Sequence, residues 1–145
     1  MIRVREYDEH DLHGVLEVEN ASFKFPYSEE IFTELLNQKS TRMLVAENIE
    51  GRIVGYILYS IKSIKCSLIS IAVLPEYRRL GVGSMLMQKL LKEVEGTVEQ
   101  VELQVGCKNF GAIKFYQKFN FKIVDLIPKY YPDGEDAYYM VKILD

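Results

Sequence analysis

Hydrophobic and polar positions alternate through Ile2-Arg3-Val4-Arg5-Glu6-Tyr7, the period of a short strand. Asp8 or Asp11 can then cap a helix that carries Leu12, Val15, Leu16 and Val18-Glu19 on to Phe23. Phe25-Pro26-Tyr27 interrupts it. Ser28 opens a second helix, with Glu29 and Glu30 in its first turn and Ile31, Phe32, Leu35 and Leu36 behind them. Three strand-like segments follow at 42–47, 51–62 and 66–74, the first two joined by a turn at Asn48-Ile49-Glu50-Gly51. Residues 68–74 are apolar on both faces, the pattern of a central buried strand. From Gly83 to Glu95, Met85, Leu86, Leu90, Leu91 and Val94 recur on one side of a helix. Val98 to Val105 alternates again, with Val101, Leu103 and Val105 on one face and Glu102 and Gln104 on the other. A short helix over 109–119 carries Ile113, Phe115, Tyr116 and Phe119. Strands at 121–127 and 137–144 close the chain, joined through Lys129-Tyr130-Tyr131-Pro132-Asp133-Gly134.

The predicted order is β-α-α-β-β-β-α-β-α-β-β. Hairpins mixed with helical crossovers imply one α/β domain over 1–145, with a mixed sheet covered on both faces. No internal repeat or linker interrupts it. With 145 residues, the chain can bury roughly 68–70% of its unfolded surface without metal or disulfide. An apolar share of 48% argues against disorder. A net charge of −3 and a pI near 5.5 supply no basic footprint for nucleic acid. Cys66 and Cys107 stand apart, with no CxxC and no histidine cluster, and read as reduced buried thiols. His10 and His13 read as solvated, and no metal is indicated. The N-terminus lacks the apolar core of a signal peptide, and no stretch approaches the ~20 residues of a membrane helix. The expected location is the cytoplasm, away from membranes.

Chemistry concentrates in Leu74-Pro75-Glu76-Tyr77-Arg78-Arg79-Leu80-Gly81-Val82-Gly83-Ser84, between a buried strand and a long helix. Gly81 and Gly83 permit close backbone approach, and a helix start offers unpaired N–H groups. Together with the helix dipole and Arg78-Arg79 they suit a pyrophosphate. The same glycines are also compatible with a plain tight turn. A P-loop is excluded because Ser84-Met85 follows Gly83 where Lys and Ser or Thr are required. A dinucleotide fingerprint is excluded because Leu86 occupies the third glycine position.

Arg78-x-x-Gly81-x-Gly83 after a strand resembles the coenzyme motif of the GNAT acetyltransferase superfamily. Asn109-x-x-Ala112-x-x-Phe115-Tyr116-x-x-x-x-Phe121 resembles the second cofactor motif of that superfamily. Tyr130-Tyr131-Pro132-Asp133-Gly134-Glu135-Asp136-Ala137 and Phe25-Pro26-Tyr27-Ser28 are similar to segments of the N-terminal protein acetyltransferases. These include the ribosomal-protein alanine type and the archaeal N-α-acetyltransferases. The resemblance implies a mostly antiparallel sheet of about seven strands that splays between the fourth and fifth. It implies acetyl-coenzyme A as cofactor, coenzyme A as product, and protein or peptide N-termini as acceptors, with ribosomal proteins or nascent chains among them. A monomer or weak dimer is expected, with the need for an auxiliary subunit open.

By the same resemblance, Ile71, Ala72 and Val73 would run along the acetyl and pantetheine arm, and an N–H near Val73 would meet the oxyanion. Arg78, Arg79, Leu80, Gly81, Val82, Gly83 and Ser84 would hold the pyrophosphate. Asn109 would contact the coenzyme arm, cap the helix, or do both. Tyr116 would protonate the departing thiolate, since a thiol near pKa ~8.5 and a phenol near ~10 are close enough for transfer. Phe25, Pro26, Tyr27 and Glu29 on one side, with Tyr130 and Tyr131 on the other, would clamp the substrate. The base stays open. Gln104 stands where relatives often carry Glu or His, and Ser67 stands where some carry a tyrosine. Gln104 has no titratable group, so it would position a water. Glu102 could act through water, and Tyr27 and Glu29 are other candidates. An α-amino group with a pKa of ~7.7–8.0 could also react without a strong base. Small-molecule amine or lysine acetylation and a non-catalytic acetyl-coenzyme A sensor are the competing functions.

Overall fold

In the computed structural model, which describes residues 1–144, the opening alternation forms strand β1 (Arg3–Glu6). Asp8 and Asp11, alternative caps by sequence, act together. The Asp8 carboxylate accepts the His10 N–H, and the Asp11 carboxylate accepts the Asp8 N–H at 2.8 Å. This reciprocal cap closes a 3-10 turn over Glu9–Asp11 that runs into helix α1 (Leu12–Ser22). Helix α2 (Glu29–Leu36) begins where Ser28 Oγ accepts the Ile31 N–H. The chain continues through β2 (Thr41–Glu47), β3 (Ile53–Lys62), β4 (Lys65–Val73), α3 (Val82–Val94), β5 (Gln100–Gly106), α4 (Phe110–Lys118), β6 (Lys122–Ile127) and β7 (Ala137–Ile143). The order matches the predicted one, and the paired boundaries differ by a residue or two.

The seven strands form one sheet in the order β1-β2-β3-β4-β5-β7-β6. Every neighbouring pair is antiparallel except β4 and β5. That parallel pair is short: Lys65, Cys66 and Ser67 face Gln100, Val101 and Glu102, and no pairing follows. Two features draw the strands apart. β5 pairs with β7 along its whole length, from Gln100 to Gly106. On β4, Leu68 and Ser70 oppose consecutive β3 residues, which leaves Ile69 as a bulge where the separation begins. A bulge increases local twist and bends its strand.

Adjacent β3 residues bury opposite faces. A side chain at Gly55 would stand 3.3 Å from Leu86 and Val82, so α3 covers that face. Tyr56 points the other way and meets Phe32 of α2 edge-on at 5.8 Å. Val15, Val18, Phe32, Leu44, Ile57, Leu58, Leu86, Leu90 and Met140 are fully buried between these layers. One expectation changes. Ile69, Ile71 and Val73 are only half-buried, because β5 has left the flank of β4 that a central strand would have covered.

The sheet edge is tied electrostatically. Arg5 sends a forked pair of bonds to Asp11, at 2.8 and 2.9 Å, and reaches Glu47 at 3.1 Å. Arg5 therefore holds both carboxyls below the usual carboxylate range. A lowered folded-state pKa contributes stability that is present above that range and is lost as pH falls through the lowered values. Arg5→Met is expected to move the acid-unfolding midpoint to higher pH, followed by circular dichroism. The stability lost in the variant should be largest near neutral pH and should shrink at strongly acid pH, where both carboxyls are protonated.

Candidate active site

Where β4 and β5 part, backbone groups lose their partners. The Leu74 N–H bonds the Val54 carbonyl at 2.8 Å, toward β3. Backbone groups alternate sides along an antiparallel strand. Ala72 therefore also points to β3, and Ile71 and Val73 point into the gap. Of the three residues expected along the acyl arm, these two offer free main-chain groups and Ala72 does not. Arg78 Nε donates to the Val73 carbonyl at 3.0 Å, and its Nη2 reaches Ser22 Oγ of α1 at 3.4 Å. The guanidinium thus clamps the strand end, leaving the Val73 N–H aimed into the gap.

The turn after β4 places Arg79 and Gly81 in the left-handed region, at φ 65° and 82°. Gly81 then caps α3 with no side-chain bond, and the first turn of α3 holds no acidic residue. The first helical bond that follows is Met85 N–H to Gly81 carbonyl, 3.0 Å, so the amides of Val82, Gly83 and Ser84 point outward unpaired. A side chain on Gly83 would reach Phe115 of α4 at 3.5 Å, which sets α4 beside this turn. Asn109 Oδ1 accepts the Ala112 N–H at 3.2 Å, so the capping role is present. The gap therefore runs from free amides at Ile71 and Val73 to a ring of amides at the start of α3, a track for an acyl group with an anionic tail.

Tyrosines line the other end. Tyr116 lies on α4, edge-on to Phe115 and Phe121 at 5.5 and 5.8 Å. Burial, with a smaller effect from Tyr131, pushes its phenol above the ordinary value and keeps it a proton donor. Tyr130 and Tyr131 pack ring to ring at 4.9 Å. Burial first, then Tyr130, Glu135, Tyr27 and Cys107, push the Tyr131 phenol up to about 12. Tyr27 packs on Phe32 at 5.8 Å. Lys24 and Asp133 join the two loops at 3.5 Å. Phe25 is exposed beside Tyr27, as is Pro26. Glu29 is not part of this gathering; it sits with Glu30, Thr33 and Glu34 on the outer side of α2. The β6–β7 loop is braced from below, since a side chain at Gly106 would collide with the Glu135 carboxylate.

The description "Acetyltransferase (GNAT) family" fits residues 12–121. The chain belongs to the GNAT acetyltransferase family. It is 36% identical over 144 residues to an N-alpha-acetyltransferase of Sulfolobus acidocaldarius, covering 90% of this chain and 85% of that one. It is 30% identical to the ribosomal protein bS18-alanine N-acetyltransferase of Escherichia coli, covering 90% and 89%. The crystal structure of the ribosomal-protein-S18-alanine N-acetyltransferase from Escherichia coli superposes with a TM-score of 0.93 at 27% identity, over 100% of this chain and 95% of that one. That of Ard1 from Thermoplasma volcanium gives 0.89 at 30% identity, over 99% and 98%. The described fold is accordingly the GNAT fold.

In this GNAT site the side chains expected near the acceptor amine share one sheet face. Ser67 pairs with Glu102, and Gln104 with Tyr139. Gln104 is exposed, and Glu102 lies 3.9 Å from Lys65 Nζ. Cys66 is buried, which pushes its thiol up to about 12, whereas Cys107 is half-buried rather than buried. It follows the end of β5, where its N–H bonds the Asp136 carbonyl at 3.0 Å. His10 is exposed and bonded to Asp8, and His13 is exposed. Among the described residues no group of ligating side chains could hold a metal, and no helix is long and apolar enough to cross a membrane.

Sequence reasoning passed over Glu19. Its side chain is 2% exposed, and it accepts the Tyr27 N–H at 2.8 Å and the Tyr56 hydroxyl. Tyr56 Oη in turn lies 2.8 Å from Ser70 Oγ on β4. A carboxylate in the apolar stripe Val15-Val18-Glu19 was the available signal.

Gly81→Val forces a branched side chain into a left-handed backbone, which costs about 1–2 kcal/mol. Urea denaturation is expected to register that loss. Nothing stands within 4 Å of the added carbon, so steric crowding adds nothing to it.

Proposed function

We propose that this GNAT protein is an N-α-acetyltransferase that moves the acetyl group of acetyl-coenzyme A onto the α-amino group of protein or peptide N-termini. The observation that carries this reading is the meeting of two tyrosine-bearing loops, tied by Lys24 and Asp133, beside the gap between β4 and β5. A small amine needs no such clamp. Tyrosines offer apolar area and a hydroxyl at once, which suits the first residues of an extended peptide. The names of the archaeal and bacterial relatives support the same acceptor. Ribosomal-protein and nascent-chain N-termini are the acceptors this reading puts first.

The amine attacks the thioester carbonyl directly. In this reading the Val73 N–H faces the carbonyl oxygen as it gains charge, and Ile71 borders the acyl arm. The amides from Arg79 to Ser84, that of Leu80 among them, would hold the diphosphate. Arg78 holds the strand end so that the Val73 N–H stays aimed. Asn109 keeps its amide group free for the coenzyme arm while its carbonyl oxygen caps α4. Tyr116 donates its proton to the sulfur as the carbon–sulfur bond breaks. Phe25, Pro26, Tyr27, Tyr130 and Tyr131 receive the peptide.

Tyr116→Phe is expected to lower turnover by about 10²-fold or more with acetyl-coenzyme A affinity nearly unchanged. Equal turnover would remove Tyr116 from the mechanism. Gly81→Val is expected to weaken acetyl-coenzyme A binding in calorimetry on the folded protein. Transfer assayed against free peptide N-termini, lysine side chains and polyamines decides the acceptor. Acetylation of polyamines or lysines with N-termini untouched would overturn the reading, and binding without any transfer would make the protein a coenzyme sensor.

A further inference from the structure

A proton must leave the incoming ammonium, and the exposed side of the gap offers little to take it. Gln104 has no titratable group, Ser67 is a hydroxyl, and Glu102 faces Lys65. The buried side is different. Glu19 is an ionisable group sealed between α1, the Tyr27 loop and β3, with no lysine or arginine paired to it among the described residues. A carboxylate without a cation costs free energy to bury, so the two bonds it accepts from Tyr27 and Tyr56 are what hold it there. The groups that face it are the Tyr27 amide and phenol and the Tyr56 hydroxyl. Burial pushes its pKa up, which makes it a better proton acceptor than a surface carboxylate.

The bond directions follow from the chemistry. An ionised carboxylate only accepts, so Tyr56 donates to Glu19. Tyr56 has one hydrogen, so at 2.8 Å it accepts from Ser70. Ser70 Oγ then keeps a free lone pair, and it lies on β4 directly before Ile71, where β5 has already separated.

We propose that Ser70, Tyr56 and Glu19 form a proton relay that carries the first proton of the acceptor ammonium away from the gap to the buried carboxylate. This rests on the acetyl-transfer reading above. One proton passes from nitrogen to Ser70, one from Ser70 to Tyr56, and one from Tyr56 to Glu19, so each hydroxyl is restored. The neutral amine forms the carbon–nitrogen bond. The second nitrogen proton, released as the carbon–sulfur bond breaks, replaces the one Tyr116 gives the thiolate. Glu19 returns its proton to solvent before the next turnover. Glu19 and Tyr56 act through Ser70 and are positioning residues for the transfer.

The test compares wild type, E19Q, Y56F and S70A across pH, with acetyl-coenzyme A and a free peptide N-terminus. Below the α-amino pKa of ~7.7–8.0 the acceptor is mostly ammonium and needs the relay; well above it the amine is already neutral. Each variant is expected to lose about tenfold or more in kcat/KM near pH 6.5 and to approach wild type near pH 9. The Y56F/S70A double variant is expected to fall no further than either single one, because one break stops the relay. A variant-to-wild-type ratio that stays constant with pH, or stays near one throughout, overturns the proposal. S70A keeps the test decisive if E19Q fails to fold. If wild type acetylates only another amine, the acceptor reading fails, and the same comparison run on that amine, about its own pKa, still decides the relay.

Discussion

Main-chain amides without partners are costly inside a protein, so a sheet that stops pairing in its middle needs something to keep it open. Here β5 is committed to β7 along its full length, and β4 is bent by the bulge at Ile69, so the two strands touch only from Lys65 to Ser67. The seven residue pairs to β7 set the course of β5 from its far edge, and past Ser67 that course no longer follows β4. Arg78 occupies the Val73 carbonyl and so satisfies one orphaned group while leaving its amide free. The site exists because β4 and β5 follow different partners beyond Ser67 and Glu102.

The electrostatics around the gap are divided accordingly. One end presents outward amides and the positive end of α3, with acidic side chains kept out of the first turn. The other end is built from neutral tyrosines whose burial holds their protons in place, Tyr116 above all. A site of this kind binds anions at one end and can donate protons at the other. The acid that could take a proton is Glu19, buried between α1 and the sheet's acceptor face, where two hydrogen bonds replace the water it has lost. Those same bonds anchor the Tyr27 loop, so under the proposed mechanism substrate positioning and proton transfer would be coupled through one carboxylate.

Element order, the two-sided sheet and the glycine turn were legible in the sequence because each rests on local pattern: period two, period 3.6, and glycines where positive φ is required. The capping residues Asp8, Ser28 and Asn109 were legible for the same reason. Tyr27, Tyr130 and Tyr131 were recognisable as candidates, but their meeting depends on two loops more than a hundred residues apart along the chain. Glu29, which local order puts beside Tyr27, points away because α2 turns its first residue outward.

What the chain determined alone was the periodicity that makes each element and the glycine at position 81 that bends the backbone. Tertiary structure alone decided which amides stay unpaired, since Ala72 and Val73 look alike in sequence and differ only in which neighbour each faces. It also decided that Glu19 lies beneath Tyr56 and Ser70, residues drawn from separate strands. Pairing and burial are relations between distant segments, and no local pattern encodes the free energy of bringing them together.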